Sequence, residues 1–252
     1  MGKPHKALEK LELDVGYLES KILPSLVTFQ KPNSFESEQF KRLKSLILFP
    51  QSGSPPRTLL ITSVTPGEGK SFVASNLAVS IAQNINEHVL LMDCDLRRPS
   101  IHDIFGFGRI DGLSEHLSKE RSLASVLYKT IVNKLTILPG GSPPHNPSEL
   151  LASEKMLSLL SEVKSRYSDR YIIIDSPPFP LASEVNVIAR KVDAVILIIK
   201  YGKTKRRSIE EQVEMIGRKK VLGVVFNCFD VRSLKHSGYG TYSNYTKYYG
   251  RQ

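Results

Sequence analysis

The chain has 252 residues, of which 40% are apolar and 24% charged, and its formal net charge is +10. These values exclude an intrinsically disordered chain, and the length favours one α/β domain with extensions over two equal domains. Two cysteines, Cys94 and Cys228, exclude a disulfide framework, and no apolar stretch approaches the roughly 18 residues that a membrane span needs. The charged N-terminus does not have the pattern of a secretory signal, so we expect a cytoplasmic protein.

In chain order, apolar periodicity predicts an amphipathic helix at 34–49, a linker at 51–56, and then alternating strands and helices. The predicted strands are 57–63, 88–93, 134–140, 171–176, 193–200 and 220–227. The predicted helices between them are 71–85, 147–167 and 205–218. Near-continuous apolar strands separated by helices are typical of a mostly parallel sheet covered on both faces. The sequence therefore predicts a doubly wound α/β fold.

This pattern divides the chain into three parts. Residues 1–55 are predicted to form an N-terminal arm with the amphipathic helix, 56–230 an α/β core, and 231–252 a disordered tail. The tail contains five of the ten tyrosines of the chain, separated by Gly, Ser, Thr, Asn and Lys: Tyr239, Tyr242, Tyr245, Tyr248 and Tyr249. Because these spacers cannot build a core, the tyrosines are either modified or act as an aromatic low-complexity contact.

The segment SVTPGEGKSF (63–72) links the first predicted strand to a helix. Its glycines allow a tight turn whose N–H groups face an anion, and the dipole of the following helix favours the same negative charge. Lys70 would reach the terminal phosphates, and the Ser71 hydroxyl would bind Mg²⁺. Val64 stands where the strict motif has its first glycine. The strand–loop–helix context predicts a nucleotide-binding P-loop made by Thr65, Pro66, Gly67, Glu68, Gly69, Lys70, Ser71 and Phe72.

Two further strand ends carry acidic residues. In MDCDLRRP (92–99), Asp93 and Asp95 are suited to accept a proton and to hold the water shell of a metal, although one of them could simply cap the next helix. In IIIDSPP (172–178), Asp175 resembles a Walker B carboxylate that would hold Mg²⁺ opposite Ser71, with a strand-end cap as the alternative. Both motifs lie where doubly wound folds bind their ligands.

Together these motifs predict a site for Mg·ATP or Mg·GTP. The chain lacks a guanine-reading T/NKxD motif, which favours ATP. Asn227, at the end of the strand GVVFN, is either a polar contact on the adenine side or a strand-end cap. The motifs leave the acceptor of the γ-phosphate open, because water as acceptor gives an ATPase switch and a protein hydroxyl gives a kinase.

From about residue 35 to the C-terminus, the chain resembles the cytoplasmic catalytic domain of bacterial tyrosine kinases (BY-kinases) of capsule and exopolysaccharide synthesis. The resemblance rests on TSVTPGEGKSF as Walker A, LLMDCDLRRP as Walker A′, IIIDSPP as Walker B and the tyrosine cluster. It implies a P-loop fold of the deviant Walker group that includes ParA- and MinD-type ATPases. It also implies that Lys70 binds the phosphates and that Asp93 is the base that activates tyrosine. Asp95 and Asp175 would organise the metal together with Ser71.

The resemblance further implies an ATP-dependent, non-specific protein-tyrosine autokinase. It would phosphorylate its own tail tyrosines, in trans between subunits, and thereby regulate exopolysaccharide or capsule synthesis and export. The implied partners are further copies in a ring-like homo-oligomer and a transmembrane polysaccharide co-polymerase or adaptor that recruits the chain to the inner face of the plasma membrane. The ring-forming motif E-x-x-R-x-x-R appears here as Glu38, Lys41 and Lys44, which keeps the charge but loses the bidentate fork of arginine.

Two other functions stay open. A ParA- or MinD-like ATPase switch on membrane or DNA is favoured by the basic runs at 200–207 and 218–220, which are also compatible with solvated faces or an acidic partner. It is opposed by Thr65 and Pro66, which stand where that group has the signature lysine of KGGxGK. The other alternative is a catalytically weak, nucleotide-gated scaffold for polysaccharide export. No specific nucleic-acid partner is expected.

Overall fold

The structure, a computed structural model, describes residues 24–119, 121–166 and 170–229 of the chain. Within them, seven strands form one sheet in the order β3-β4-β2-β5-β1-β6-β7. The strands are β1 Thr58–Ser63, β2 His88–Asp93, β3 Tyr128–Lys129, β4 Leu135–Leu138, β5 Arg170–Asp175, β6 Ala194–Lys200 and β7 Val221–Asn227. All neighbours are parallel except β3 and β4, which are antiparallel. The mostly parallel α/β fold is therefore confirmed.

Helices cover both faces of the sheet. They are α1 Val27–Gln30, α2 Phe35–Leu48, α3 Lys70–Ala82, α4 Ile101–Ile104, α5 Leu113–Ser118, α6 Pro147–Leu151, α7 Glu154–Arg166, α8 Glu184–Lys191 and α9 Arg206–Ile216. Short 3₁₀ turns occupy Leu123–Val126, Phe179–Leu181 and Arg218–Lys220. The helices α1 to α4 pack on one face and α5 to α9 on the other. None of the helices described is long and apolar enough to cross a membrane.

The apolar strand runs supply both layers of core. In β1, Leu59 and Ile61 point into the core under α1 to α4, whereas Leu60 points into the opposite core. This two-sided burial explains why the strands read as continuous apolar segments rather than as alternating ones. The helix α3, which follows β1, is buried along almost its whole length and therefore has little amphipathic character.

The N-terminal segment that the structure describes packs on the P-loop helix. Ser34 caps α2 by accepting a hydrogen bond from the Ser37 N–H (3.2 Å), as the predicted helix at 34–49 requires. Preceding α2, the N–H and the hydroxyl of Thr28 both donate to Asn76 Oδ1, at 3.0 and 2.9 Å. Asn76 in turn donates to the Ser25 carbonyl (2.9 Å). The predicted arm residues 1–23 lie outside the described ranges.

Several elements differ from the sequence prediction. The two-residue strand β3 and the helices α1, α4, α5 and α8 were not predicted. The first four are too short to show a period, and α8 follows a run of prolines. The single helix predicted at 147–167 is two helices. The second one begins after Ser153, whose hydroxyl accepts a hydrogen bond from the Met156 N–H (3.2 Å) and so caps the new helix.

Candidate active site

Three strand ends meet at one edge of the sheet. The order β2-β5-β1 places Asp93 and Asp175 side by side in register, and Asp175 is also the register partner of Ile61 in β1. The loop after β1 is the predicted P-loop, and it leads into α3 at Lys70. The parallel topology therefore brings together the three motifs that the sequence predicted to act together.

The P-loop has the backbone of an anion-binding turn. Gly67 and Gly69 lie in the left-handed region, with φ of +76° and +86°. Lys70, the first residue of α3, is 8% exposed, and no residue in the described ranges gives its ammonium a hydrogen bond or an ion pair. A buried cation without a bonded partner is costly unless an anion joins it. The loop therefore fits a phosphate group at the N-terminus of α3.

Asn227 supports this loop from β7. Its Nδ2 donates to the Glu68 carbonyl (2.8 Å), and a Cβ atom on Gly69 would lie 2.1 Å from that Nδ2. Gly69 is therefore required both for its backbone angle and for the close approach of the amide. The structure places Asn227 against the P-loop, and its contact with adenine stays a prediction.

The Glu68 side chain has a role that the sequence did not indicate. Its buried carboxylate accepts hydrogen bonds from the Thr65 N–H (2.8 Å), the Lys200 N–H (3.2 Å) and the Thr204 hydroxyl. The carboxylate thus ties the P-loop to the segment after β6. What Glu68 can offer a nucleotide is its backbone, and the same holds for Phe72, whose ring packs edge-on against Phe40 at 5.8 Å.

Two of the three residues predicted to bind the metal, Ser71 and Asp175, are in direct contact. The Ser71 hydroxyl donates to Asp175 Oδ2 (2.5 Å), while Asp175 Oδ1 is buried and has no hydrogen-bond partner among the described atoms. Two hard oxygen ligands, one of them unsatisfied, fit Mg²⁺, which usually takes few protein ligands and completes its shell with water and phosphate. Within the described ranges, no group of three or more His, Cys, Asp or Glu side chains could hold a metal alone.

Asp93 is completely buried and holds the loop that follows it. Its Oδ2 accepts the N–H groups of Ser100 (2.9 Å) and Ile101 (3.0 Å), and its Oδ1 accepts the N–H of Asp95 (3.1 Å). Burial raises the pKa of Asp93 to about 7, although the backbone donors oppose the shift. Burial, reinforced by the charge of Asp93, also raises the pKa of Asp175 well above its usual range. Two adjacent buried carboxylates favour retention of a proton near neutral pH.

Asp95 is the more accessible member of the pair. It is partly exposed, and its Oδ1 accepts the Arg98 N–H at 3.3 Å. Burial raises the pKa of Asp95, and the positive charges of Lys70 and Arg97 oppose that shift. Asp95 has no direct contact with Ser71, so its assignment to the metal remains a prediction.

Two further contacts at this edge were missed in the sequence. A Cβ on Gly140, in the loop after β4, would lie 2.6 Å from the Pro99 Cβ and 3.5 Å from Asp93 Cγ. The Gly–Gly pair after a strand was the available signal for this close approach.

The second missed contact involves Arg97, whose Nη2 donates to the Ser148 hydroxyl (2.8 Å) and to Glu184 Oε1 (3.3 Å). Glu184 is buried, and its Oε2 has no partner in the described part of the chain. The ion pair joins the Asp93–Asp95 loop to the starts of α6 and α8. No sequence spacing could have indicated a contact across 87 positions.

The three arginines of the basic runs form ion pairs with glutamates of α9. Arg206 and Arg207 each bond a glutamate four residues ahead at 2.8 Å, and Arg218 bonds Glu214 four residues behind. These exposed pairs agree with the interpretation of solvated faces. In α2, Lys41 pairs with Glu38 at 2.6 Å, and burial lowers the pKa of Lys44. The five tail tyrosines lie outside the described residues.

Comparisons with known proteins identify the class of this site. The family described as the CobQ/CobB/MinD/ParA nucleotide binding domain matches residues 59–246. The tyrosine-protein kinase YwqD of Bacillus subtilis is 33% identical over 88% of this chain and 93% of the relative. Wzc of Salmonella typhimurium is 30% identical over 86% of this chain, but over only 30% of its own length. The solved kinase domain of Escherichia coli tyrosine kinase ETK is 29% identical with a TM-score of 0.75, covering 82% of this chain and 80% of that domain. The chain therefore belongs to the bacterial tyrosine-protein kinases, within the MinD/ParA class of nucleotide-binding domains.

Proposed function

We propose that this chain is an ATP-dependent protein-tyrosine kinase that phosphorylates the tyrosine cluster of its own tail on a neighbouring copy. The observation that carries the proposal is Lys70, a nearly buried cation with no bonded partner in the described residues, at the head of a loop with two left-handed glycines. It faces the carboxylates of the Asp93–Asp95 loop and of Asp175. The similarity to YwqD and ETK, both named tyrosine kinases, supports the same activity.

The phosphates of ATP would lie on the N–H groups of residues 67–72, with Lys70 reaching the terminal phosphates. Ser71, Asp175 and Asp95 would hold Mg²⁺, directly or through water. When bound, the ion would neutralise the charge of the phosphate oxygens. Asn227, which donates to the Glu68 carbonyl, would also contact the adenine side. The guanine-reading motif is missing, so ATP is the expected nucleotide.

Asp93 would take the proton of the acceptor tyrosine. The phenolic oxygen then bonds to the γ-phosphorus, and the bond from that phosphorus to the bridging oxygen breaks and leaves ADP. A carboxylate whose pKa is about 7 suits this role, because a base works best near the operating pH. The hydrogen bonds from the Ser100 and Ile101 N–H groups hold its orientation.

A phosphotyrosine blot after incubation with Mg·ATP tests the proposal directly. Lys70→Met and Asp93→Asn should lower tail labelling by about 100-fold or more, which is the usual loss when a general base or phosphate contact is removed. Asp103→Asn, at an exposed carboxylate on α4, is the matched control and should label normally. Undiminished labelling of either of the first two variants would refute the assignment.

Transfer between copies needs a separate experiment. A variant that lacks residues 236–252 keeps the site but has no acceptor, and the tagged Lys70→Met chain keeps the acceptor but has no activity. Mixed with Mg·ATP, the pair should label the tagged chain, because the intact site of one copy reaches the tail of the other. A strictly intramolecular kinase would leave both chains unlabelled.

The proposed kinase would also have an oligomeric state and a membrane partner. We expect a ring-like homo-oligomer that is weaker than one with arginines at positions 41 and 44, since lysine lacks the bidentate fork. We also expect a transmembrane adaptor of the polysaccharide export system to recruit the chain to the inner face of the plasma membrane. A MinD-like ATPase switch would instead hydrolyse ATP only with lipid vesicles or DNA present, and would leave the tail unlabelled.

A further inference from the structure

A basic cleft lies at the edge of the sheet opposite the P-loop. Its volume is about 560 Å³, and it is formed where β1, β6 and β7 begin and where α7 and α8 end. Five cationic side chains from different segments line it, against one carboxylate, Asp193. These cations are Arg57, Lys164, Arg190, Lys191 and Lys220.

Carboxylates pair with two of the five cations, and the other three have no anionic partner among the described residues. Arg57 pairs with Glu87, which lies outside the lining (3.1 Å), and Lys164 pairs with Asp193. Asp193 Oδ2 accepts hydrogen bonds from the N–H groups of Arg57 and Thr58, and Oδ1 accepts one from Lys164 (2.5 Å). Lys220 donates to a neutral carbonyl, that of Val192, and has no anionic partner within the described part of the chain.

The two remaining cations, Arg190 and Lys191, are exposed at the end of α8. No residue in the described ranges gives either of them a hydrogen bond or an ion pair. Part of their role is to complement the negative end of the helix dipole. Lys220 and Lys164 line the same cleft from other segments and add to its positive charge. The cleft fits a ligand with two or more negative charges.

The tail of this chain becomes such a ligand if the proposed function holds. Each phosphotyrosine carries about −1.5 to −2 charges, so five of them convert a slightly basic tail into a strongly acidic one. The three carboxylates of the active site repel that product. The tail leaves β7 at Asn227, and the seven residues of β7 place the cleft about 23 Å away. The twelve residues from Asn227 to Tyr239 span up to about 40 Å when extended, so every tail tyrosine can reach the cleft.

We propose that this basic cleft receives the phosphorylated tyrosines of the tail, and so removes the product from the active-site edge. Arginine presents paired N–H donors that match phosphate oxygens, which makes Arg190 the main specificity contact. Lys191 and Lys220 add charge from two sides. The proposal rests on the proposed function for its ligand, but its binding step can be measured without any kinase activity.

The test uses the full-length Lys70→Met chain, whose own tail stays unmodified, and a fluorescent synthetic peptide of residues 236–252 phosphorylated on its five tyrosines. Fluorescence anisotropy should show binding of this peptide and none of the unphosphorylated one. The double substitution Arg190→Ala/Lys191→Ala should raise the dissociation constant about tenfold, as expected for the loss of one charge-assisted hydrogen bond. Arg206→Ala/Arg207→Ala removes the same charge from an exposed face of α9 and should leave binding unchanged.

Equal affinity of the Arg190/Lys191 variant and its parent would overturn the proposal, and so would an equal loss in the Arg206/Arg207 control. A second experiment measures binding of the same variants to vesicles that contain anionic lipid. If the cleft substitution abolished vesicle binding but left peptide binding intact, the cleft would be a lipid contact and the proposal would be wrong. Because the peptide is phosphorylated chemically, failure here is distinct from failure of autophosphorylation in the phosphotyrosine blot.

Discussion

Replacing Gly69 with alanine should weaken ATP binding for two separable reasons. An L-residue at the φ of +86° found there costs about 1–2 kcal/mol. The new Cβ would also lie 2.1 Å from Asn227 Nδ2, so the amide must swing away and lose its bond to the Glu68 carbonyl, at about 1 kcal/mol. The sum of about 2–3 kcal/mol corresponds to a rise of about 30- to 160-fold in the dissociation constant.

Gly67 provides the matched control in the same loop. Its φ is +76°, but a Cβ there has no atom within 4 Å, so Gly67→Ala should lose only the backbone part, about 1–2 kcal/mol. Titration with a fluorescent ATP analogue at fixed Mg²⁺ measures both variants, with thermal unfolding as a check on folding. When both glycine substitutions are made in an Asn227→Ala chain, the difference between their ATP dissociation constants should disappear.

The reasoning fails if the two alanine variants bind equally in the parent chain. It also fails if the difference between them persists once Asn227 has been shortened, because the steric part would then have another origin. A double-mutant cycle is suited to this question, since the two residues are in direct contact.

Three further predictions concern contacts away from the phosphates. Glu184→Gln should lower kcat of tail phosphorylation at least several-fold, because it weakens the ion pair with Arg97 that holds the Asp93–Asp95 loop. The affinity for ATP should be unchanged. An equal loss of kcat and of ATP affinity would indicate general unfolding instead. Asn76→Ala should lower the free energy of unfolding by about 2–3 kcal/mol in urea titration, since the buried Thr28 N–H loses its acceptor. Burial tends to raise the pKa of Asp193, but hydrogen bonds from Lys164 and Thr58 lower it overall. Its stabilisation is therefore complete above the unfolded pKa of about 3.9 and is lost as the pH falls through the lower folded pKa. The destabilisation caused by Asp193→Asn should accordingly be full at pH 7 and shrink below pH 4, and a constant difference across that range would contradict the assignment.

The elements with long apolar runs could be predicted because burial on both faces leaves a direct mark on the sequence. The strands β1, β2, β5 and β6 illustrate this, and so does the loop after β1, whose glycines and Lys70 signal an anion site. The two residues of β3 carry no period, and the break between α6 and α7 depends on one hydroxyl, that of Ser153. Such features are decided by local hydrogen bonds rather than by pattern.

The candidate site was predictable only as far as its motifs are local. The parallel topology was enough to predict that Asp93 and Asp175 lie at the same edge of the sheet. The hydrogen bonds of Glu68 with Lys200 and Thr204 join residues that are 132 and 136 positions apart. The Arg97–Glu184 ion pair joins residues that are 87 positions apart. These contacts depend on three-dimensional packing, which spacing in one chain does not encode. The tail tyrosines and residues 1–23 stay predictions, since they lie beyond the described ranges.

The dependence of the P-loop on Lys200, Thr204 and Asn227 has a consequence for biosynthesis. The ribosome makes the loop early, but the groups that satisfy its buried glutamate and support its glycine emerge much later. Until then the Glu68 carboxylate lacks the partners that make its burial tolerable. We therefore expect the P-loop to gain its full set of contacts only after Asn227 has been synthesised.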